Sequence, residues 1–573
     1  MNRIECTVRK LPVQSNTDFE HRNADRLLNY KEAWTVTRFF SRSSIVVGFA
    51  CIVGLTAPAK AAPVQDVEIQ VGVVQRFGDR PKDTMTLKAP KGDQLTLRFD
   101  TNGKPQTLTA QELKIETLNQ TLSQPMLEER VVFSTHRSFE TAEDQAQAWR
   151  SQGIEVEIAQ PNRWQVWAKR SVYNTPLLRR LLLRSLQQKG IQTAQIESRI
   201  IRDVPRSSWV LNGFRYTRDV MDIASRSGAI VVDREKDDTP SRTYAGTLRL
   251  QPNAYGNYTL VSTVGLETYL RGVVPHEIGG WAPQPVLEAQ AILARTYALR
   301  NLRRFAIDNY QLCATTQCQV YFGVGGAVES TDRAIAATRG LVLTYQNELV
   351  DALYSSTSGG VTASFDDIWH GWKRPYLQAV IDAPNPMWDL RNRSLADEKN
   401  FRAFIAQKKG FNEDGTDMFR WRYENTVDQL NGELREYLKK INHPLANFKT
   451  IQDIRIMARS SGGRILKTAI VTDAGTIEIQ KDDIQTVFEA PASTLFYVDR
   501  VLQNKTLKGF AFVGGGFGHG VGFSQVGSYN PGRLGWPSDR ILGFYFPGTQ
   551  LQPISGAITL WRDRSVAAQP SRQ

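Results

Sequence analysis

The sequence predicts an α+β protein built from several domains, and three observations carry that reading. At 573 residues the chain is longer than one ordinary core uses, and about 150 residues per domain gives roughly three to four units. Residues 64 to about 125 alternate apolar and polar side chains with period two, the signature of half-buried strands. From Val131 to Ser198 the pattern runs strand, helix, strand, strand, helix, strand, and from about 205 it becomes mixed α and β. A hydrophobic content of 41% and an aromatic content of 10% suit a globular protein.

Taken in order, residues 1–61 read as a leader. Arg38 and Arg42 precede the apolar run Ile45 to Leu55, and Ala57-Pro58-Ala59-Lys60-Ala61-Ala62 follows. This is the pattern of a secretory signal peptide cleaved after Ala61. The run is well short of the about 20 residues that cross a bilayer, so a membrane is reached only through an uncleaved leader. The 37 residues before Arg38 make the leader long, which a start site set too far upstream would explain. Cleavage removes Cys6 and Cys51, leaving Cys313 and Cys318. In an oxidising setting this C-x4-C pair reads as a local disulfide or two free thiols, with half of a metal site as the competing idea.

Residues 62–127 form the expected β-rich module, with stretches such as Val67 to Val71 and Leu95 to Phe99 and turns at Lys91-Gly92-Asp93 and Asn102-Gly103. Residues 128–200 follow as the βαββαβ unit, which predicts helices packed on one face of a four-stranded antiparallel sheet. In Trp164-Gln165-Val166-Trp167 the two indoles fall on opposite faces of a strand. One is then expected in the core and the other free to stack on a ligand, unless both are covered. Residues 205–560 form the largest expected domain, and 561–573 a polar tail. Within the large domain, Pro283 and Pro285 suit the first turn of an amphipathic helix running to about Phe305, with Arg300, Arg303 and Arg304 complementing its C-terminal dipole. Val427 to Ile441 reads as another helix, and Ser460-Ser461-Gly462-Gly463 and Asp473-Ala474-Gly475 read as hairpin turns.

Two blocks in the large domain hold the residue types that chemistry needs. Gly272-Val273-Val274-Pro275-His276-Glu277 places one carboxylic acid among apolar Val273, Val274, Ile278 and Trp281, surroundings that disfavour its ionised form. On the residues alone, the reading of Glu277 as a helix-capping group outweighs that of an acid, because a helix amino-terminus favours the carboxylate. Gly514 to Gln525 has glycine at almost every other position around His519; a nucleotide loop is a poor fit because no Lys-Ser/Thr follows. Between the blocks lie Cys313 to Tyr321 and the run Tyr354-Ser355-Ser356-Thr357-Ser358-Gly359-Gly360-Val361-Thr362, with Trp369 after it. A serine hydrolase using Ser356 or Ser358 with His519 lacks a G-x-S-x-G elbow. The formal charge of +13 favours acidic partners without naming one, and an exported chain argues against nucleic acid.

These four ordered motifs resemble the SpoIID/LytB family, and the βαββαβ unit is similar in topology to a SPOR domain, which binds peptidoglycan glycan strands stripped of peptides. The family pattern has Met, Tyr and Ala where this chain has Phe523, Val526 and Ser528, while His519, Ser524, Gln525 and Gly527 are kept. The resemblance implies an exported lytic transglycosylase of the periplasm or cell wall. Its acid is Glu277, which cleaves the bond between N-acetylmuramic acid and N-acetylglucosamine and closes a 1,6-anhydro ring. His519, Ser524, Gln525, Arg295, Tyr354, Ser356, Ser358 and Trp369 are then expected to bind substrate, with no cofactor and no metal. The partners implied are peptidoglycan glycan strands and a cell-wall amidase. A non-catalytic enhancer of that amidase, or a peptidoglycan-binding protein, is the alternative.

Overall fold

The computed structural model describes residues 66–80, 82–234 and 240–562. The signal-peptide reading and nearly all of the polar tail lie outside the described residues. No helix among the described residues is long and apolar enough to cross a membrane. The α+β expectation holds: helices and several sheets are interleaved along the chain.

The first strands are β1 (Glu68–Phe77), β2 (Thr84–Lys88), β3 (Leu95–Thr101), β4 (Lys104–Ala110) and β5 (Glu112–His136). Asn102-Gly103 closes the β3–β4 hairpin with both residues at positive φ, 53° and 76°, as a tight two-residue turn between twisted strands requires. These strands do not form a module of their own. After β6 (Val156–Ala159), β7 (Trp164–Ala168), β8 (Gln195–Leu211) and β9 (Phe214–Thr217) come β10 (Met221–Ser225), β11 (Ala229–Asp233), β12 (Arg242–Ala245), β13 (Thr247–Pro252) and β14 (Tyr258–Gly265). One sheet has the order β1-β14-β13-β10-β3-β4, with β15 (Leu312–Cys313) on its outer edge beside β1. The N-terminal strands are therefore woven into the large domain. The boundary expected between 127 and 128 falls inside β5, a single 25-residue strand. Long strands continue across what the alternation suggested were separate units because β5 and β8 pair antiparallel almost throughout.

The βαββαβ order is present, with α1 (Phe139–Ser151) and α2 (Pro176–Gln188) as its helices and strand order β8-β5-β7-β6. Trp164 and Trp167 do lie on opposite faces, but both are 1% exposed. Trp164 packs on Phe139 and Phe305, and Trp167 on Tyr255 with Arg130 over its ring. Neither can stack on a ligand, because each ring is covered by these neighbours.

The large domain continues through α3 (Leu266–Arg271), α4 (Val274–Ile278), α5 (Gln284–Arg300) and α6 (Glu329–Ala337). Expected as amphipathic and reaching Phe305, α5 ends at Arg300 and is buried nearly all round, as its alanine-rich sequence permits. Its basic end is not a solvent-facing dipole partner. Arg304 meets Glu140 at 3.0 Å, Arg303 meets Glu143, and Arg300 meets Asp351 at 3.2 Å. Arg374 spans Asp144 at 2.6 Å and Asp351 at 3.0 Å. Buried pairs of this kind add little net stability but cost about 3–5 kcal/mol when one partner is removed, so they fix how α1 seats against the large domain.

Residues 361–513 carry two further cores. One gathers Val361, Trp388, Phe401, Phe404, Phe411 and Leu495. The other packs Leu430, Leu434 and Leu438 of the helix Val427–Lys440 onto the meander Ile451–Arg459, Ile465–Thr472 and Gly475–Gln480. That helix opens with a reciprocal capping box between Thr426 and Gln429. Both expected hairpin turns join strands of this meander.

Candidate active site

Glu277 sits on α4, a five-residue helix begun by Val274-Pro275 and ended at Gly279, where φ is 78°. Only glycine adopts that angle without strain, so the chain turns sharply just after the acid. The Glu277 carboxyl is enclosed, yet the residue keeps a partly exposed edge. Oε1 accepts the Val320 N–H at 2.7 Å, the Tyr354 hydroxyl bonds to the same carboxyl, and the Gln525 amide approaches Oε2 at 3.4 Å. Gln525 also donates to the Glu277 main-chain carbonyl at 2.9 Å. These donors favour the carboxylate, but burial outweighs them and pushes the pKa of Glu277 up. The result is an acid that holds its proton longer than a solvated glutamate, with hydrogen-bond donors already aimed at the anion it becomes.

Each donor is supplied by a separate motif. Gln319, fully buried, donates to the Tyr354 hydroxyl at 3.1 Å and accepts from the Tyr269 hydroxyl at 3.2 Å. Gln319 and Val320 leave a loop closed by a disulfide between Cys313 and Cys318. That bond engages both sulfurs and settles the choice left open by the spacing. Tyr354-Ser355 pairs as a short parallel strand with Phe523-Ser524, and Gln525 N–H donates to Ser355 at 3.0 Å. Two motifs about 170 residues apart are thereby stitched edge to edge, which brings Tyr354 and Gln525 to the same carboxyl.

The other expected site residues fall elsewhere. Arg295 is fully buried and forms a two-pronged pair with Glu267, each contact 2.7 Å, beneath α3 and α5. Ser358 donates to Asp382 at 2.9 Å and Ser524 to Glu413 at 2.6 Å. Glu413 also gathers the Ser358 and Gly359 backbone N–H groups, and Asp382 accepts from Asn412 and Tyr545. This second carboxylate cluster is fully buried. Burial and the neighbouring Glu413 charge push Asp382 up to about 8. His519 accepts the Val521 N–H at 2.9 Å, bonds the Tyr354 backbone and lies on the Trp369 ring at 5.0 Å. Burial and Arg464 press its pKa down to about 4, so it is neutral and committed to the loop. Trp369 donates to Asp482 at 3.1 Å. Of the three expected site serines, Ser356, Ser358 and Ser524, Ser356 is the one that is partly exposed. The glycines of the block admit protein rather than ligand: a β-carbon at Gly520 would lie 2.3 Å from the Arg464 guanidinium, and one at Gly522 2.3 Å from the Leu353 carbonyl.

Gln319 and Val320 lie in the Cys313 to Tyr321 motif but, like Tyr269, carry no site role in the sequence reading. The cysteine pair was the available signal, since a six-residue loop pinned at both ends presents its exit residues rigidly.

Residues 254–345 match the family model described as stage II sporulation protein, and residues 363–522 match a domain of unknown function, DUF8618. The chain is 27% identical over 354 residues to the amidase enhancer of Bacillus subtilis (strain 168), a match covering 54% of this chain and 47% of that protein. It is 26% identical over 333 residues to stage II sporulation protein D of the same organism, covering 54% of this chain and 82% of that one. The chain thus spans about half the length of the amidase enhancer. The acid, the disulfide loop, the Tyr354 strand and the glycine-rich block meet at one place, and about half of this chain is similar to members of the SpoIID/LytB family.

Proposed function

We propose that this protein remodels the cell wall by cutting peptidoglycan glycan strands as a lytic transglycosylase. The observation that carries the reading is the Glu277 carboxyl, raised in pKa by burial while an N–H, a phenol and a carboxamide converge on it. Glu277 gives its proton to the oxygen joining N-acetylmuramic acid to N-acetylglucosamine as that bond breaks. The carboxylate left behind is held by Val320, Tyr354 and Gln525. It then takes the proton of the muramyl 6-hydroxyl, whose oxygen closes onto C1 to give the 1,6-anhydro end. One carboxyl serves both steps, and no water is consumed.

Glycan strands incubated with the purified protein should acquire anhydro-muramyl ends detectable by mass spectrometry. Glu277→Gln should cut their rate by about a thousandfold or more, the upper range for a general acid, while leaving the melting temperature and glycan binding in place. Anhydro ends formed at an unchanged rate by the variant would remove Glu277 from the chemistry. The similarity to an amidase enhancer favours a second reading, in which the protein binds glycan or an amidase and accelerates the latter. No new ends from wild type, together with faster release by an added amidase, would establish that reading instead.

A further inference from the structure

Trp281 stands four residues after Glu277 and is 63% exposed, the most open tryptophan among the described residues. An exposed indole is unusual enough to ask what it meets. This one is also held in place. The Tyr529 ring meets it edge to face, with centroids 4.8 Å apart and planes at 69°. Tyr529 is itself anchored by its hydroxyl, which donates to the Ile278 carbonyl at 2.7 Å. The imino edge of the indole lies against Gly279, where a β-carbon would come within 2.6 Å of Nε1. Beyond Gly280 the 40% exposed Val328 continues the apolar surface, its Cγ2 3.0 Å from where a Gly280 β-carbon would be.

Both elements that pin the ring also bear on the acid. Tyr529 is one turn after Gln525, the residue that holds the Glu277 main chain and approaches its carboxyl. Gly279 is the bend that ends the helix carrying Glu277. The indole and the proton donor are therefore tied to the same short stretch of backbone.

We propose that Trp281, fixed by Tyr529 and Gly279, is the stacking platform for a pyranose ring of the glycan next to the bond that Glu277 protonates. The C–H face of a pyranose is apolar with slightly positive hydrogens, and the indole face is electron-rich, so the two attract beyond simple burial. Val328 offers an apolar contact of acetyl-methyl size, which suits an N-acetylamino sugar. Because the ring is already immobilised, binding loses little side-chain freedom. This proposal rests on the transglycosylase reading for the position of the cleaved bond, but not for the stacking itself.

The test uses Glu277→Gln protein, which does not consume its ligand, and a tetrasaccharide of alternating N-acetylglucosamine and N-acetylmuramic acid without stem peptides. Adding Trp281→Ala should weaken binding at least tenfold, and Trp281→Phe less than threefold, with the melting temperature unchanged in both. In the otherwise wild-type enzyme, Trp281→Ala should raise KM more than it lowers kcat. Unchanged affinity in Trp281→Ala overturns the platform, as does equal loss in the Phe variant accompanied by a fall in melting temperature. If wild type yields no anhydro ends but Trp281→Ala still loses affinity, the transglycosylase reading fails and the platform stands. If glycan binding is intact but acceleration of an amidase is lost, the indole is a protein contact and the sugar assignment is overturned.

Discussion

Two carboxylate sites lie on either side of the strand pair that joins Tyr354-Ser355 to Phe523-Ser524, and they differ in one respect. Glu277 and Asp382 both have pKa values raised by burial. Glu277 keeps a partly exposed edge. Asp382 and Glu413 are sealed, with their oxygens taken up by Ser358, Asn412, Tyr545, Ser524 and two backbone N–H groups. A raised pKa is therefore a property of enclosure, and function additionally needs a face that substrate can reach. The sealed cluster ties down the strands that present Tyr354 and Gln525, while the open one is the acid of the proposed mechanism.

The sharpest way to break this distinction is to remove each acid in turn. Glu277→Gln should abolish turnover with the fold intact, as argued above. Glu413→Ala should do the reverse. It strands the Ser358 and Gly359 N–H groups and the Ser524 hydroxyl in a dry interior, a loss of about 3 kcal/mol or more readable by denaturant unfolding. Residual activity at low temperature should then track the fraction folded. A Glu413→Ala protein that is fully stable yet inactive would mean that the buried pair acts in the chemistry.

A smaller effect sharpens the account of Glu277 itself. The Tyr354 hydroxyl lowers the pKa of Glu277 against the larger upward push of burial. Tyr354→Phe removes that bond and leaves Gln319 without its acceptor. The Glu277 pKa then rises further, and the carboxylate formed after proton transfer is less well held. The proposed mechanism requires the protonated acid, so the limb of kcat/KM that falls with rising pH should move to higher pH in the variant. The rate should drop by about tenfold, the worth of one hydrogen bond to a charged group. A limb that stays in place would show that the phenol does not act on this carboxyl.

The contrast also explains what the sequence could and could not disclose. Glu277 is legible as an acid only through the family resemblance, since its apolar neighbours Val273, Val274 and Ile278 leave a capping role open, whereas the helix Val427–Lys440 is legible in itself because its leucines recur every four residues above a capping box. The expected substrate roles of Ser358, Ser524, Arg295 and His519 rest on the family resemblance, and each of these groups can equally serve a backbone or a buried partner. The partners Asp382, Glu413 and Glu267 lie 24 to 111 residues away, where no local period points to them. The module boundary near 127 failed for a related reason. Alternation reveals a strand but not its neighbour, and β1 finds its partner in β14.

The least conspicuous prediction concerns stability against pH at the sealed cluster. Asp382 has a folded pKa of about 8 against an ordinary 3.8, so its proton is bound more tightly in the native state than in the unfolded chain. The stability this contributes is fully present below about pH 3.8, declines as pH rises, and is lost once pH passes about 8. Asp382→Asn keeps an oxygen to accept from Asn412 and Tyr545, while Ser358 can turn its hydroxyl to accept from the new amide. The variant has no proton to lose. Wild type should therefore lose unfolding free energy relative to Asp382→Asn between pH 5 and about pH 8, with the two curves running parallel above that. Parallel curves across the whole range would show that Asp382 is already ionised in the native protein, and that its enclosure is compensated by the hydroxyl and amide donors around it.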